Sequence, residues 1–218
     1  MNCLINRYKG QFLAILMLAL GVSACQTIGK KVKYYATEIT LKNGAVLKGS
    51  TSPIAGDNFS FKDAQTSSNS TIQSKDVQSI IKQTPDGPKE YAQFTIINNK
   101  KRGKVETVLA AYEVKGEVSL IAHETKEHVR KTKDVNNRMT FVEETELIKR
   151  LYLKKQTEPG AEVPAGNKKT QVEEFNELAV NYFADAPALM AKIGGPGYEV
   201  KDIKKIVAEY NQIKAKKN

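Results

Sequence analysis

Six residues are the first place to look for chemistry in this chain: His123-Glu124-Thr125-Lys126-Glu127-His128, which hold both of its histidines. A zinc protease needs His-Glu-x-x-His on a helix, where the i, i+4 spacing puts both imidazoles on one face and leaves the glutamate as base. Here the spacing is i, i+5 in a β-prone stretch, and residues an odd number apart on a strand point to opposite faces. The pattern predicts an exposed polar strand end, with no metal and no cofactor. Glu143, Glu144 and Glu146 form an acidic group beside Lys149 and Arg150 and read as solvated carboxylates. Gly194-Gly195-Pro196-Gly197 lacks the Lys-Ser/Thr that closes a phosphate loop, and Pro196 removes a backbone donor. It reads as a breaker between helices. No Gly-x-Ser-x-Gly elbow occurs. No catalytic residue is nominated, and the expectation is a protein that is not an enzyme.

Cys25 has a more definite chemistry. Arg7 and Lys9 precede an uncharged apolar run over 12–22, about half of the roughly 20 residues that a membrane-spanning helix needs. A basic start, a short apolar core and small residues at its end describe a secretory signal over 1–24. Val22-Ser23-Ala24-Cys25 resembles a bacterial lipobox, which implies cleavage before Cys25 and lipidation of its thiol. Each buried CH₂ adds about 0.8 kcal/mol, so two or three chains anchor stably where one does not. The only other cysteine, Cys3, lies in the signal, so the mature chain is expected to have neither a free thiol nor a disulfide.

Composition narrows the partners. The 218 residues are 40% apolar and 27% charged, an ordinary globular balance. The net charge of +10 becomes +8 once Arg7 and Lys9 are removed. In an exported chain that excess is expected to meet lipid headgroups, acidic glycans or another envelope protein, and no nucleic acid. Lys100, Lys101, Arg102, Arg130 and Lys131 are the candidate basic surface. Gln26 after the lipidated cysteine favours the outer membrane, facing the periplasm.

These residues must be positioned by elements that change period along the chain. Residues 25–36 read as a lipidated tether carrying Lys30, Lys31 and Lys33. Over 37–84 short alternating runs predict a small β module, opening with a type I′ hairpin at Asn43-Gly44. In that hairpin Ile39, Leu41 and Val46 are expected to share a face. Its strand spacing resembles an Sm/SH3-type barrel. Thr84-Pro85-Asp86-Gly87-Pro88 is a turn, and 89–156 is a second antiparallel region with a Lys115-Gly116 connection. After a Pro/Gly linker over 158–167, the period becomes helical across 168–218. Thr170 and Glu173 are expected to form a capping box. The fold class is α+β: an antiparallel β-rich sheet or small barrel followed by a C-terminal helical segment.

Tyr182, Phe183, Asp185, Pro187, Leu189, Ile193, Tyr198, Asp202, Ile203, Ile206, Val207, Tyr210 and Asn211 form a pattern. It is similar to the tail of an exported lipoprotein family of Bacteroidota, in which NG- and GK-type hairpins precede such a segment. The family often has cysteine where this chain has Ala186. The resemblance implies envelope location and architecture and carries no activity. It is consistent with a lipid-anchored binding or scaffolding module. The alternatives are an electrostatic binder of acidic glycan or lipid, and an enzyme whose site is assembled from scattered residues.

Overall fold

The computed structural model describes residues 33–99, 102–135, 138–165 and 169–216. The expected signal, Cys25 with Val22, Ser23 and Ala24, the tether up to residue 32, and Lys100 and Lys101 lie outside the described residues. From Lys33 onward the chain forms one compact unit.

Ten antiparallel strands make one sheet: β1 (Tyr35–Leu41), β2 (Val46–Thr51), β3 (Asn58–Asp63), β4 (Asn69–Gln73), β5 (Val77–Thr84), β6 (Gly87–Asn98), β7 (Lys104–Val114), β8 (Val118–Val135), β9 (Arg138–Lys155) and β10 (Ala161–Glu162). Their order is β10-β9-β8-β7-β6-β5-β1-β2-β3-β4, so the sheet is open and the small barrel does not close. The turn at Pro85–Asp86 joins β5 to β6 as neighbours within that sheet. Helices α1 (Lys169–Phe183), α2 (Pro187–Met190) and α3 (Ile203–Ala215) follow. The α+β class is the one the sequence periods require.

The first hairpin departs from expectation in two respects. Only Gly44 takes a positive φ (85°), whereas a type I′ turn requires it of both residues. Asn43 instead accepts the Ala45 N–H on its Oδ1 at 3.0 Å, so its side chain makes the turn locally. Ile39 then pairs with Leu47, and Val46 pairs with Thr40 on the opposite face. Val46 is half exposed for that reason. The helix α1 is already helical at Lys169, which puts Thr170 inside the first turn; Lys169 and Glu173 approach at 3.9 Å instead of a Thr170–Glu173 box.

Three apolar clusters hold these layers together. Ile39, Phe59, Phe61, Val77 and Ile80 form the core of the first five strands. Phe94, Ile96, Ala110, Ile121 and Tyr152 fill one face of β6–β9. On the other face, Leu120 and Leu153 pack under Phe175, Phe183, Ile206 and Tyr210. The tail pattern is thus chiefly a packing pattern. Phe183, Leu189, Ile206 and Val207 are completely buried. Asp185 accepts from the Tyr210 hydroxyl at 3.2 Å and from Lys214 at 2.8 Å. Asn211 donates to the Val118 carbonyl at 2.9 Å and accepts the Val118 N–H at 3.2 Å, tying α3 to the β7–β8 turn.

Two features bend the sheet. A bulge interrupts the β7–β8 register between Tyr112 and Val114, which increases local twist. The expected linker after β9 is partly ordered against β6: Gly160 donates to the Thr95 carbonyl at 2.8 Å, and Ile97 donates back to Gly160 at 2.9 Å. The bulged residue, Glu113, has a side chain only 4% exposed and lies among Lys89 (3.7 Å), Lys149 (2.5 Å) and Lys204 of α3. Burial alone would raise its pKa; hydrogen bonds from Lys149 and Lys204 outweigh that and hold it at about 2.

Candidate functional site

The β7–β8 ladder stops at Ala111↔Ala122, whereas β7 stays paired to β6 as far as Lys104 and β8 stays paired to β9 as far as Val135. The two hairpins therefore part, and a cleft of about 910 Å³ opens between them. Glu106 to Leu109 line it from β7 and His123, Thr125, Lys126 and Glu127 from β8. The β2–β3 connection (Ala55–Asp57) and the 3₁₀ turn Ser74–Asp76 close one side.

His123 sits at the apex. Its Nδ1 lies 3.2 Å from the Leu109 carbonyl oxygen and donates to it in the neutral ring, which leaves Nε2 as acceptor. Burial lowers its pKa against the opposing pull of that carbonyl, so the ring stays neutral near pH 7. Among the described residues no hydroxyl bonds to this ring, so no nucleophile is paired with it. Opposite His123 on β9, Arg150 donates to Thr125 Oγ1 (3.0 Å) and Glu127 Oε1 (2.5 Å), with Glu162 at 3.4 Å. Its charge is compensated by two carboxylates. Burial pushes the Tyr152 phenol at the cleft floor up to about 12, so it remains protonated.

The wall is equally well tied. Gly56 N–H donates to the Glu124 carbonyl at 3.0 Å, and Ser74 Oγ donates to the Gly56 carbonyl at 2.8 Å. Gln93 Nε2 donates to the carbonyls of Ser74 (2.6 Å) and Val77 (3.1 Å). Away from the cleft, Lys82 donates to the Ser52 carbonyl at 2.8 Å, and burial brings its pKa down to about 8. Every buried side-chain nitrogen and oxygen among the described residues has a partner. The arrangement is a preformed polar surface of donors and acceptors.

Beyond the apex, β8 and β9 continue as a two-stranded ribbon from His123↔Arg150 to Val135↔Arg138, about 40 Å long at the usual rise per residue. His123 is buried and His128 exposed, on opposite faces of β8, so the expected exposed strand end is instead mid-strand and exposed at His128 but not at His123. Among the described residues no three His, Cys, Asp or Glu side chains are grouped to hold a metal ion. The acidic group is divided: Glu146 and Glu144 (3.7 Å) share Lys131, whereas Glu143 is opposite Arg130 on the other face. Arg130 lies 4.1 Å over the Phe141 ring. Arg130 and Lys131 thus serve different faces of the ribbon. Arg102 sits in the β6–β7 turn at φ 56°. The breaker at Gly194–Gly197 closes on itself through Gly194 N–H to the Tyr198 carbonyl and Tyr198 N–H to the Gly195 carbonyl, each 3.0 Å.

The sequence reading nominated neither the cleft nor Arg150, Glu106, Gln93 or Gly56. The available signal was the composition from Glu124 to Asp134, where seven of eleven residues are charged and only Val129 is apolar, a segment that no core could bury. Comparison with protein families, curated proteins and solved structures returns no match. Among the described residues no helix is long and apolar enough to cross a membrane.

Proposed function

We propose that the chain is an exported, lipid-anchored protein of the cell envelope, akin to the Bacteroidota lipoproteins its tail resembles. It is held through Cys25 at the periplasmic face of the outer membrane and acts as a binding module, without catalysis of its own. The observation that carries the binding role is the polar cleft between β7 and β8, whose side chains are fixed by one another rather than arrayed around a nucleophile. Preorganised polar groups in a concave site lower the ordering cost of binding. The test is capture from native membranes with the full-length, lipidated protein, wild type against Thr125→Trp, which fills the cleft. The expected result is an envelope component retained by wild type and lost by the variant at unchanged melting temperature. Equal capture by both would reject the cleft.

A second reading is electrostatic. Met139 is 76% exposed and Phe141 62% exposed, beside Arg130, an apolar and basic combination suited to an anionic lipid surface. Lys100, Lys101, Arg102 and Lys131 would add to the attraction. Binding to anionic vesicles should then weaken steeply with salt. Salt-insensitive or absent binding rejects it.

A further inference from the structure

Where β7 and β8 part, each retains a backbone edge directed into the same cleft. The alternation of an antiparallel ladder identifies the groups. Thr95 and Ile97 of β6 spend their carbonyl and N–H on Gly160, away from β7. Their cross-strand partners, Thr107 and Val105, therefore direct their own N–H and C=O away from β6, towards β8. Leu109 follows the same phase, and its carbonyl is the one that receives His123. On β8, Glu124 directs its carbonyl away from β9, to Gly56, so Lys126 and His128 share that outward phase. The two groups nearest the apex are thus satisfied by substitutes, an imidazole and a loop N–H. Beyond them, Thr107 and Lys126, which line the cleft, and Val105 and His128, farther along the same two edges, have no backbone partner on those edges among the described residues.

We infer that this gap receives an extended polypeptide segment of a partner protein, which adds to the β7 edge, the β8 edge or both as an inserted strand. Two facts select this occupant over a compact ligand. Unpaired edges present a regular row of donors and acceptors, which another backbone matches at a spacing of about 4.8 Å. The cleft lining also includes neighbours of opposite side-chain phase on one strand, Glu106 with Thr107 and Lys126 with Glu127, as a slot open between strands must. Alternate side chains of the incoming strand would meet Glu106, Glu127 and Arg150 on one face and the Ser74–Lys75 turn on the other. The expected segment is therefore polar, with charged residues at every second position, and its affinity comes mainly from its main chain. This deepens the binding role proposed above and rests on it.

A phage-displayed library of linear twelve-residue peptides, panned against the full-length lipidated protein in detergent, supplies the probe. The best peptide is then measured by titration and by amide hydrogen exchange. Strand addition predicts slowed exchange at Thr107, Val105, Lys126 or His128. It also predicts at least tenfold weaker binding to Thr107→Pro, which removes an N–H that β6 does not use, with little change for Thr107→Val. A melting temperature measured for each variant separates lost binding from lost folding. Should Thr107→Pro unfold, Val105→Pro and the exchange map decide the point. Peptides protecting other amides, or no peptide recovered, would overturn the inference. Envelope capture abolished by Thr125→Trp in that same circumstance would leave the binding role standing with a different class of ligand. Protection at these amides that grows with protein concentration and needs no peptide would mean that a second copy supplies the strand, and would overturn the external partner.

Discussion

His123 Nδ1 stands 3.2 Å from the Leu109 carbonyl oxygen, so a side chain takes over a β7 backbone acceptor just past the last β7–β8 ladder row. This makes His123 the wedge at which the sheet divides. Removing it leaves a buried carbonyl without a donor, so His123→Ala should cost about 1–3 kcal/mol. Urea unfolding at pH 7.5 measures it, and a change under a few tenths would show that the wedge is dispensable.

The same residue sets a pH dependence. Its folded pKa lies below the ordinary 6.5, chiefly through burial, so the unfolded chain binds the proton first as the pH falls. Stability contributed by the neutral ring is present above pH 6.5 and declines below it. His123→Asn, which can still donate to Leu109, should flatten the unfolding midpoint between pH 7 and 5. An equally steep decline in the variant would assign the effect to other groups.

Glu113 should behave in the acid range. Held at about 2 against the usual 4.5, it contributes stability that is complete above pH 4.5 and lost as the pH falls towards 2. Glu113→Gln is expected to lose about 2 kcal/mol at pH 7. The loss should shrink progressively below pH 4.5, as read from chemical denaturation at both ends of that range. A constant difference would mean that packing, rather than charge, is what the substitution removes.

Gly116 and Asn211 form a second junction. A Cβ on Gly116 would lie 2.2 Å from the Asn211 side chain, which caps both backbone groups of Val118. Gly116→Ala and Asn211→Ala should each cost about 1–3 kcal/mol, and the double variant clearly less than their sum. A double-mutant cycle checks this. Strict additivity would uncouple the turn from α3.

The helical tail was legible because burial and period coincide: Phe175, Ala179, Phe183, Ile206 and Tyr210 recur at helical spacing and are all buried. Most strands up to Ile121 were legible for the same reason at period two, but not β4, where only Ile72 is even partly buried. The ribbon beyond His123 was legible only as part of the second antiparallel region and not as a two-stranded extension, since neither of its faces is buried under a core and its charges carry no apolar rhythm. The cleft was equally hidden. It arises from where a ladder stops, at Ala111 and Ala122, and two alanines carry no mark of the ending. The i, i+5 spacing of His123 and His128 argues against a shared ligand, whereas the role of His123 as a wedge depends on Leu109, fourteen residues away in sequence.

The central proposal, an envelope protein held by its lipid and working through the cleft, is tested most directly at residue 25. The measurement is the mass of the N-terminal peptide of the protein recovered from native membranes. The expected peptide begins at Cys25 and carries a diacylglyceryl thioether. It should be absent from Cys25→Ala, which should leave the membrane fraction. A chain found in the soluble fraction with Cys25 unmodified and residues 1–24 still attached would contradict it.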